Sequence, residues 1–113
     1  MIEWVRQYCL SFPHATENVQ WEDHLVFKIA SKMFAVTNLE PAGPWLSFKC
    51  APETFAELVE RSGITPARYL ARAQWVSIDG QDALTKAELK TLLRQAYDVV
   101  RAKLPKKVQA ELI

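Results

Sequence analysis

The segment from Pro66 to Val76 carries the side chains of this sequence that are best suited to binding chemistry. It places Arg68 and Arg72 four residues apart and brings Trp75 close behind them. Arginine neutralises phosphate and an aromatic face stacks on an unpaired base, so the combination is typical of nucleic-acid contacts. A tryptophan at the start of a strand more often anchors a core, and we expect Trp75 to hold the loop rather than to stack on a ligand.

The second half of the sequence is basic, although the net charge is only +1. Residues 1–60 hold four basic and eight acidic side chains, whereas residues 61–113 hold ten basic and five acidic ones. This asymmetry predicts a positive surface for an anionic partner, and ordinary solvated helix faces are the alternative interpretation. The candidate nucleic-acid-binding residues are Lys49, Arg68, Arg72, Trp75, Arg101, Lys103, Lys106 and Lys107.

Patterns for catalysis or for binding a metal or cofactor are missing from the sequence. It has no phosphate-binding loop, dinucleotide-binding turn, paired-cysteine motif or nucleophile elbow, and only three glycines. His14 and His24 have no neighbouring cysteine and do not complete a four-ligand site. Cys50 precedes a predicted helix start, but its alternation with Phe48 places the thiol in the core. We therefore expect a non-enzymatic protein with no catalytic residues, no metal and no cofactor.

The length of 113 residues and the half-apolar composition predict one packed domain over residues 1–113. No apolar run approaches the roughly 20 residues that cross a bilayer, and the N-terminus lacks the order of a signal peptide. Cys9 and Cys50 are isolated among apolar residues, which favours reduced thiols. The expected location is the cytoplasm, without a membrane partner.

Apolar periodicity predicts the elements that must position these side chains. Helical spacing in the first dozen residues predicts an amphipathic helix that ends at Pro13. Alternation then predicts four antiparallel strands, with turns near Ala30 to Lys32 and Pro41 to Pro44. The predicted strands span residues 17–21, 24–30, 33–39 and 45–50.

The second half of the chain predicts two helices, a further strand and a short tail. Pro52 suits the first turn of a helix of about ten residues that ends at Gly63. A fifth strand is expected over residues 75–79. Thr85 and Glu88 have capping-box spacing, and an apolar stripe continues from there to Leu104. Beyond Pro105, a short helical tail is expected.

These elements predict an α+β two-layer sandwich in the order α-β-β-β-β-α-β-α. Its antiparallel sheet would have about five strands, with the helices packed on one face. The other sheet face would be open to solvent. By strand parity we expect that open face to carry Lys28, Lys49, Trp45, Trp75 and Ser77.

The sequence also resembles the bacterial MmcQ/YjbR-like proteins along nearly its whole length. The resemblance is collinear and rests on several short motifs taken together. These are Leu25-Val26-Phe27-Lys28, Lys32-Met33-Phe34-Ala35, Leu46-Ser47-Phe48-Lys49, Pro52-Glu53, the segment Pro66 to Val76, Ala96-Tyr97 and Lys103-Leu104-Pro105. Members have a two-layer fold similar to frataxin-type and secretion-chaperone-type sandwiches, which agrees with the predicted order of elements.

The resemblance implies DNA binding, because members of this family are usually labelled in that way, and it brings no catalytic residue set. Ser31 departs from the family pattern, in which glycine is common at the strand reversal, and Ala71 and Gln74 replace residues that are often polar or basic. Frataxin-like iron binding is not expected, since the first helix has only Glu3 as an acidic residue. Two other hypotheses remain open: an adaptor that binds a protein through the open face or an edge strand, and a small-molecule or enzymatic pocket near Trp75.

Overall fold

One helix and four strands follow one another along the first half of the chain. The computed structural model describes residues 2–40, 43–80 and 82–112. Helix α1 ends shortly before Pro13, as predicted, and each strand lies within two residues of its predicted bounds. Of the predicted turn at residues 41–44, Pro41 and Ala42 lie outside the described residues. The elements are α1 (Ile2–Leu10), β1 (Ala15–Gln20), β2 (His24–Ile29), β3 (Lys32–Asn38) and β4 (Leu46–Lys49).

The second half supplies the remaining helices and completes the sheet. Its elements are α2 (Pro52–Leu58), β5 (Ile64–Pro66), a 3₁₀ turn (Ala71–Ala73), β6 (Trp75–Ile78), α3 (Lys86–Ala102) and α4 (Lys106–Glu111). All neighbouring strands are antiparallel, in the order β1-β2-β3-β4-β6-β5. The predicted α+β class is confirmed. The described part of the sheet has one strand more than the five expected, because the short β5 pairs with β6 at the edge.

Helix α3 begins at the predicted capping box and is tied to the turn after α2. The side chain of Thr85 accepts from the Glu88 amide at 3.1 Å, and the Glu88 carboxylate accepts from the Thr85 amide at 2.9 Å. Arg61 donates to the same carboxylate at 2.6 Å. The hydrogen bond from Arg61, together with the backbone bond at Thr85, lowers the pKa of Glu88 to about 2.

A β-bulge in β3 decides which residues reach the main core. Phe27 pairs with Ala35 while Lys28 pairs with Met33, so Phe34 is the extra residue on its strand. Phe34 and Ala35 therefore both point to the helix side, and both are completely buried in the main hydrophobic cluster. Strict alternation along the sequence would have placed these two neighbours on opposite faces.

Helices α1 and α3 cover the inner face of the sheet, where an aromatic group joins the two layers. Tyr97 packs edge-on against Phe34 at a centroid distance of 5.6 Å and lies 5.0 Å from Phe12. Its hydroxyl donates to the Pro13 carbonyl oxygen at 2.6 Å. The bond satisfies a polar group that is almost fully buried, so it fixes the end of α1 against α3.

The outer face carries most of the residues that strand parity predicted. The register places Lys28, Lys49, Trp75 and Ser77 on it. Trp45 is the exception, because β4 begins only at Leu46: the indole packs against the main cluster and donates to the Gly80 carbonyl oxygen at 3.1 Å. The face is also less open than predicted, since the loop after β5 packs on it.

The turn between β2 and β3 offers a test of local backbone strain. Ala30 and Ser31 form a two-residue loop between the paired Ile29 and Lys32, with φ of 48° and 68°. Left-handed residues cost roughly 1 kcal/mol when they carry a Cβ, and glycine suits such turns. Ser31→Gly is therefore expected to raise the free energy of unfolding by about 0.5 to 1 kcal/mol, measured by urea denaturation. Ser62→Gly is the control, because Ser62 is exposed and has no positive φ; an equal gain there would contradict the explanation.

Candidate functional sites: a lysine pocket and an outer groove

Trp75 is an anchor, as predicted. Only 4% of the side chain is exposed, and it packs on the outer face with Val26, Val36 and Ala67. Met33 and Leu70 complete this second hydrophobic cluster. An indole buried in this way cannot offer a face to a nucleic-acid base, so any binding role of the region depends on its neighbours.

The loop of residues 67–74 is fastened over the outer face by its own backbone. The amide of Ala67 donates to the Trp75 carbonyl oxygen at 2.9 Å, and the Trp75 amide donates to Leu70 at 3.2 Å. Gln74, at a φ of 57°, ends the 3₁₀ turn. Its backbone carbonyl oxygen accepts from the Cys50 amide at 2.9 Å. Two depressions lie beside this loop, and we call them the lysine pocket and the outer groove.

The lysine pocket brings together three cations that are far apart in the sequence. Lys32, Lys49 and Lys103 line a depression of about 290 Å³. Its other described lining residues are Met33, Trp75, Val100, Leu104 and Pro105. None of them carries a carboxylate. The pocket therefore combines concentrated positive charge with an apolar wall.

Lys49 is the most unusual of the three lysines. Only 7% of the residue is exposed, and its Nζ donates to the Ala73 carbonyl oxygen. Burial lowers the pKa of Lys49, and the like charge of nearby Lys103 lowers it further. An anion between these ammonium groups would relieve this repulsion.

The outer groove lies on the same sheet face and shares Met33 with the lysine pocket. Its volume is about 500 Å³. Val36, Leu46 and Leu70 contribute apolar walls, and Ser47, Ser77 and Arg68 contribute polar groups. The hydroxyls of Ser47 and Ser77 are bonded to each other at 2.8 Å. A small-molecule pocket near Trp75 was one of the open hypotheses, but Trp75 lines the lysine pocket and not this groove.

Two exposed aromatic residues stand at the rim of the outer groove. Trp21 is 61% exposed and Tyr69 is 91% exposed, and both line the groove. Both have left-handed backbones, with φ of 53° and 68°. The guanidinium of Arg68 lies 5.4 Å from the centre of the Tyr69 ring. Trp21 was expected to end the first strand, but it belongs to the turn after β1.

The structure divides the eight residues predicted to contact nucleic acid among different locations. Lys49, Trp75 and Lys103 meet in the lysine pocket, together with Lys32, which was not among the predicted residues. Arg68 lines the outer groove instead. The other predicted cations lie outside both linings: Arg72 on the 3₁₀ turn, Arg101 near the end of α3, and Lys106 and Lys107 on α4.

The two thiols are buried, as predicted. Burial raises the pKa of Cys9 to about 12 and that of Cys50 to about 12, although the Lys49 charge partly opposes the second shift. Both thiols are therefore protonated at neutral pH, which does not suit a nucleophile. Within residues 2–40, 43–80 and 82–112, no three His, Cys, Asp or Glu side chains come together as metal ligands. The described helices include none with the length and apolarity needed to span a membrane.

The fold and the comparisons define the class of this protein. The YjbR family model matches residues 10–99, which is most of the chain. The chain therefore belongs to the YjbR family, as the motif resemblance predicted. No curated protein matches the sequence.

Two solved structures resemble the chain. The Deinococcus radiodurans protein DR2400, a DUF419 domain, is 30% identical with a TM-score of 0.86; the match covers 99% of this chain and 87% of that protein. A Pseudomonas syringae protein is 20% identical with a TM-score of 0.67, over 86% of this chain and 96% of its own. The second likeness is evidence for the fold alone.

Proposed function

We propose that this protein binds DNA without catalysis, in the bacterial cytoplasm, and that the lysine pocket contacts the phosphates. The observation that carries the proposal is the convergence of Lys32, Lys49 and Lys103 on one depression whose described lining has no carboxylate. Phosphate contacts by lysine and arginine supply most of the affinity of sequence-independent binding. The family resemblance points to the same function.

A polyanion fits this surface better than a single small anion, because more cations adjoin the pocket along the chain. Arg72 directly precedes Ala73, whose carbonyl oxygen accepts from Lys49. Lys106 and Lys107 directly follow Pro105, which lines the pocket. A backbone of repeated phosphates could contact these side chains in succession. Since Trp75 is buried, affinity would come from charge rather than stacking, with little preference for sequence.

Salt titration tests the proposal directly. Anisotropy of a labelled 20-mer, single-stranded or duplex, would be followed from low to physiological salt, where non-specific dissociation constants are typically micromolar or weaker. The double variant Lys32→Gln, Lys103→Gln is expected to reduce the slope of log K against log salt by roughly 1.4 to 1.8, because each lost phosphate contact contributes about 0.7 to 0.9. Lys49 is retained because it is part of the fold.

The matched control is Lys86→Gln, Lys90→Gln. Lys86 lies over the Trp4 ring at 4.9 Å, and the backbone carbonyl oxygen of Lys90 accepts from the Tyr8 hydroxyl at 3.1 Å, so both belong to the part of α3 beside α1. The control removes the same charge from outside the pocket lining. Equal losses in the two double variants would refute a role for the pocket, and absence of salt-dependent binding at low ionic strength would refute DNA binding altogether.

A protein-interaction role is the second candidate, and edge strand β1 favours it. Strand β1 pairs only with β2 in the described sheet, and Val19 on it is 57% exposed. An extended peptide could add to such an edge through main-chain hydrogen bonds. Binding of this kind would be nearly insensitive to salt and to the Lys32 and Lys103 substitutions, which separates it from phosphate binding.

A further inference from the structure

We propose that the outer groove is a binding site for a small, flat, apolar molecule that carries one carboxylate group. This site is distinct from the lysine pocket and does not depend on DNA binding. Its volume of about 500 Å³ falls within the range of small-molecule sites, roughly 300 to 1,000 Å³. Such sites typically combine apolar walls with a few polar groups that orient the ligand.

The apolar walls of the groove favour a ligand with an apolar body. Val36 and Ala67 belong to the cluster that anchors Trp75, and Met33 and Leu70 pack against it while also lining the groove. The walls are therefore held by a buried cluster rather than by mobile surface side chains. A rigid wall favours binding because little side-chain freedom is lost when the ligand enters.

The positive charge of Arg68 favours a ligand that carries a carboxylate. Arg68 lines the groove and makes no ion pair with any residue of the described chain. The described lining of the groove contains no aspartate or glutamate. An anionic ligand would thus meet the Arg68 guanidinium, and arginine binds carboxylates with two parallel hydrogen bonds. The Asp23 carboxylate, bonded to the groove residue His24 at 2.6 Å, lies beside the lining and is not part of it.

The serine pair supplies a hydrogen-bond donor in the lining of the groove. The Ser47 and Ser77 hydroxyls share one hydrogen bond, and either can be the donor. Two hydroxyls bring two protons and the bond between them uses one, so the other proton can be donated to a ligand. Ser77 is only 6% exposed, which makes this donor poorly hydrated and suited to a ligand oxygen.

The aromatic residues at the rim of the groove favour a flat ligand. Trp21 and Tyr69 occupy left-handed backbone positions that glycine or asparagine adopts at lower energy, yet their rings gain little burial in return. Strained bulky residues of this kind are found at ligand-binding positions. Two exposed rings at the mouth of an apolar groove would close over a planar ligand by stacking.

The test uses two probes of the same shape, 2-naphthoate and its neutral analogue 2-naphthamide. Dissociation constants would be measured by titration of amide and indole resonances in nitrogen-15 NMR spectra. For ligands of this size we expect naphthoate to bind at about 10 μM to 1 mM and naphthamide at least about tenfold more weakly. The shifts should centre on Trp21, Ser47, Leu70 and Ser77.

Substitutions separate the role of charge from that of shape. Arg68→Gln is expected to weaken naphthoate at least about tenfold, to the level of naphthamide, whereas Arg72→Gln in the same loop should leave both probes unchanged. Tyr69→Asn should weaken both probes severalfold without lowering the melting temperature, because asparagine tolerates the left-handed backbone.

Three outcomes would overturn the proposal. The first is no binding of naphthoate at millimolar concentration, and the second is equal affinity for acid and amide in the unmodified protein. The third is a set of shifts centred on Lys32 and Lys103, which would show that the probe binds the lysine pocket as a simple anion. Loss of DNA binding in the separate salt titration would not affect this result, so the two proposals fail independently.

Discussion

Trp75→Ala is expected to lower the free energy of unfolding by about 3 to 5 kcal/mol, the usual cost of emptying a buried aromatic site. The indole is 4% exposed and is the largest side chain of the outer-face cluster, where it contacts Val26, Val36 and Ala67. The loop of residues 67–74 packs on that side of β6, so the cavity would open toward solvent or be filled by collapse of the loop. Urea denaturation monitored by circular dichroism measures the change.

The same substitution should loosen the loop before it unfolds the domain. Residues 67–74 depend on Trp75 for packing, and two of their backbone hydrogen bonds end on its amide and carbonyl groups. Hydrogen exchange at Ala67, Leu70 and Gln74 is therefore expected to accelerate more than exchange in α3, whose packing lies on the opposite sheet face. Both candidate sites would be affected, since residues 67–70 line the outer groove and the Ala73 carbonyl oxygen accepts from Lys49 of the lysine pocket.

Trp75→Phe is the appropriate control because it keeps an aromatic ring and loses only part of the buried area. It should cost clearly less than the alanine variant and leave exchange in the loop nearly unchanged. If the alanine variant unfolded at nearly the same urea concentration as the unmodified protein, the anchoring role of Trp75 would be wrong, and its aromatic face would again be a candidate for ligand binding.

The sequence was sufficient to predict the elements whose patterns are long and regular. The apolar stripe and capping box of α3 identified that helix nearly to the residue, and alternation located β1 to β4. Strand β5 was missed because three residues that include Pro66 cannot display a two-residue period. The bulge at Phe34 was missed because Phe34 and Ala35 are both apolar. The apolar pattern is therefore the same whichever of the two residues faces the core.

The candidate sites were less predictable, because they are created by distant parts of the chain. Lys32 and Lys103 are separated by some seventy residues, and they meet because α3 ends beside the turn that starts β3. Arg68 and Arg72 are four residues apart in sequence, yet only Arg68 lines the outer groove, because Arg72 lies on the 3₁₀ turn that follows. Charge composition indicated a basic half correctly but could not assign its side chains to a common surface.

Replacing the buried Thr37 hydroxyl by a methyl group is expected to stabilise the protein. Thr37 is completely buried on the inner face of β3, and its Oγ1 has no hydrogen-bond partner among the described residues. The register places it between Leu25 and Leu46, both of them apolar. Such a buried, unsatisfied hydroxyl costs roughly 1 to 3 kcal/mol. Thr37→Val has nearly the same shape, so it is expected to raise the free energy of unfolding by about 1 to 2 kcal/mol.

Thr37→Ser separates the hydroxyl from the methyl group. The serine variant keeps the unsatisfied oxygen and loses one buried methyl, so it should be about 1 kcal/mol less stable than the unmodified protein. The two variants are therefore expected to change the urea midpoint in opposite directions. A less stable valine variant would show that the Thr37 hydroxyl makes a hydrogen bond in solution, and a water molecule enclosed beside β3 would be its natural partner.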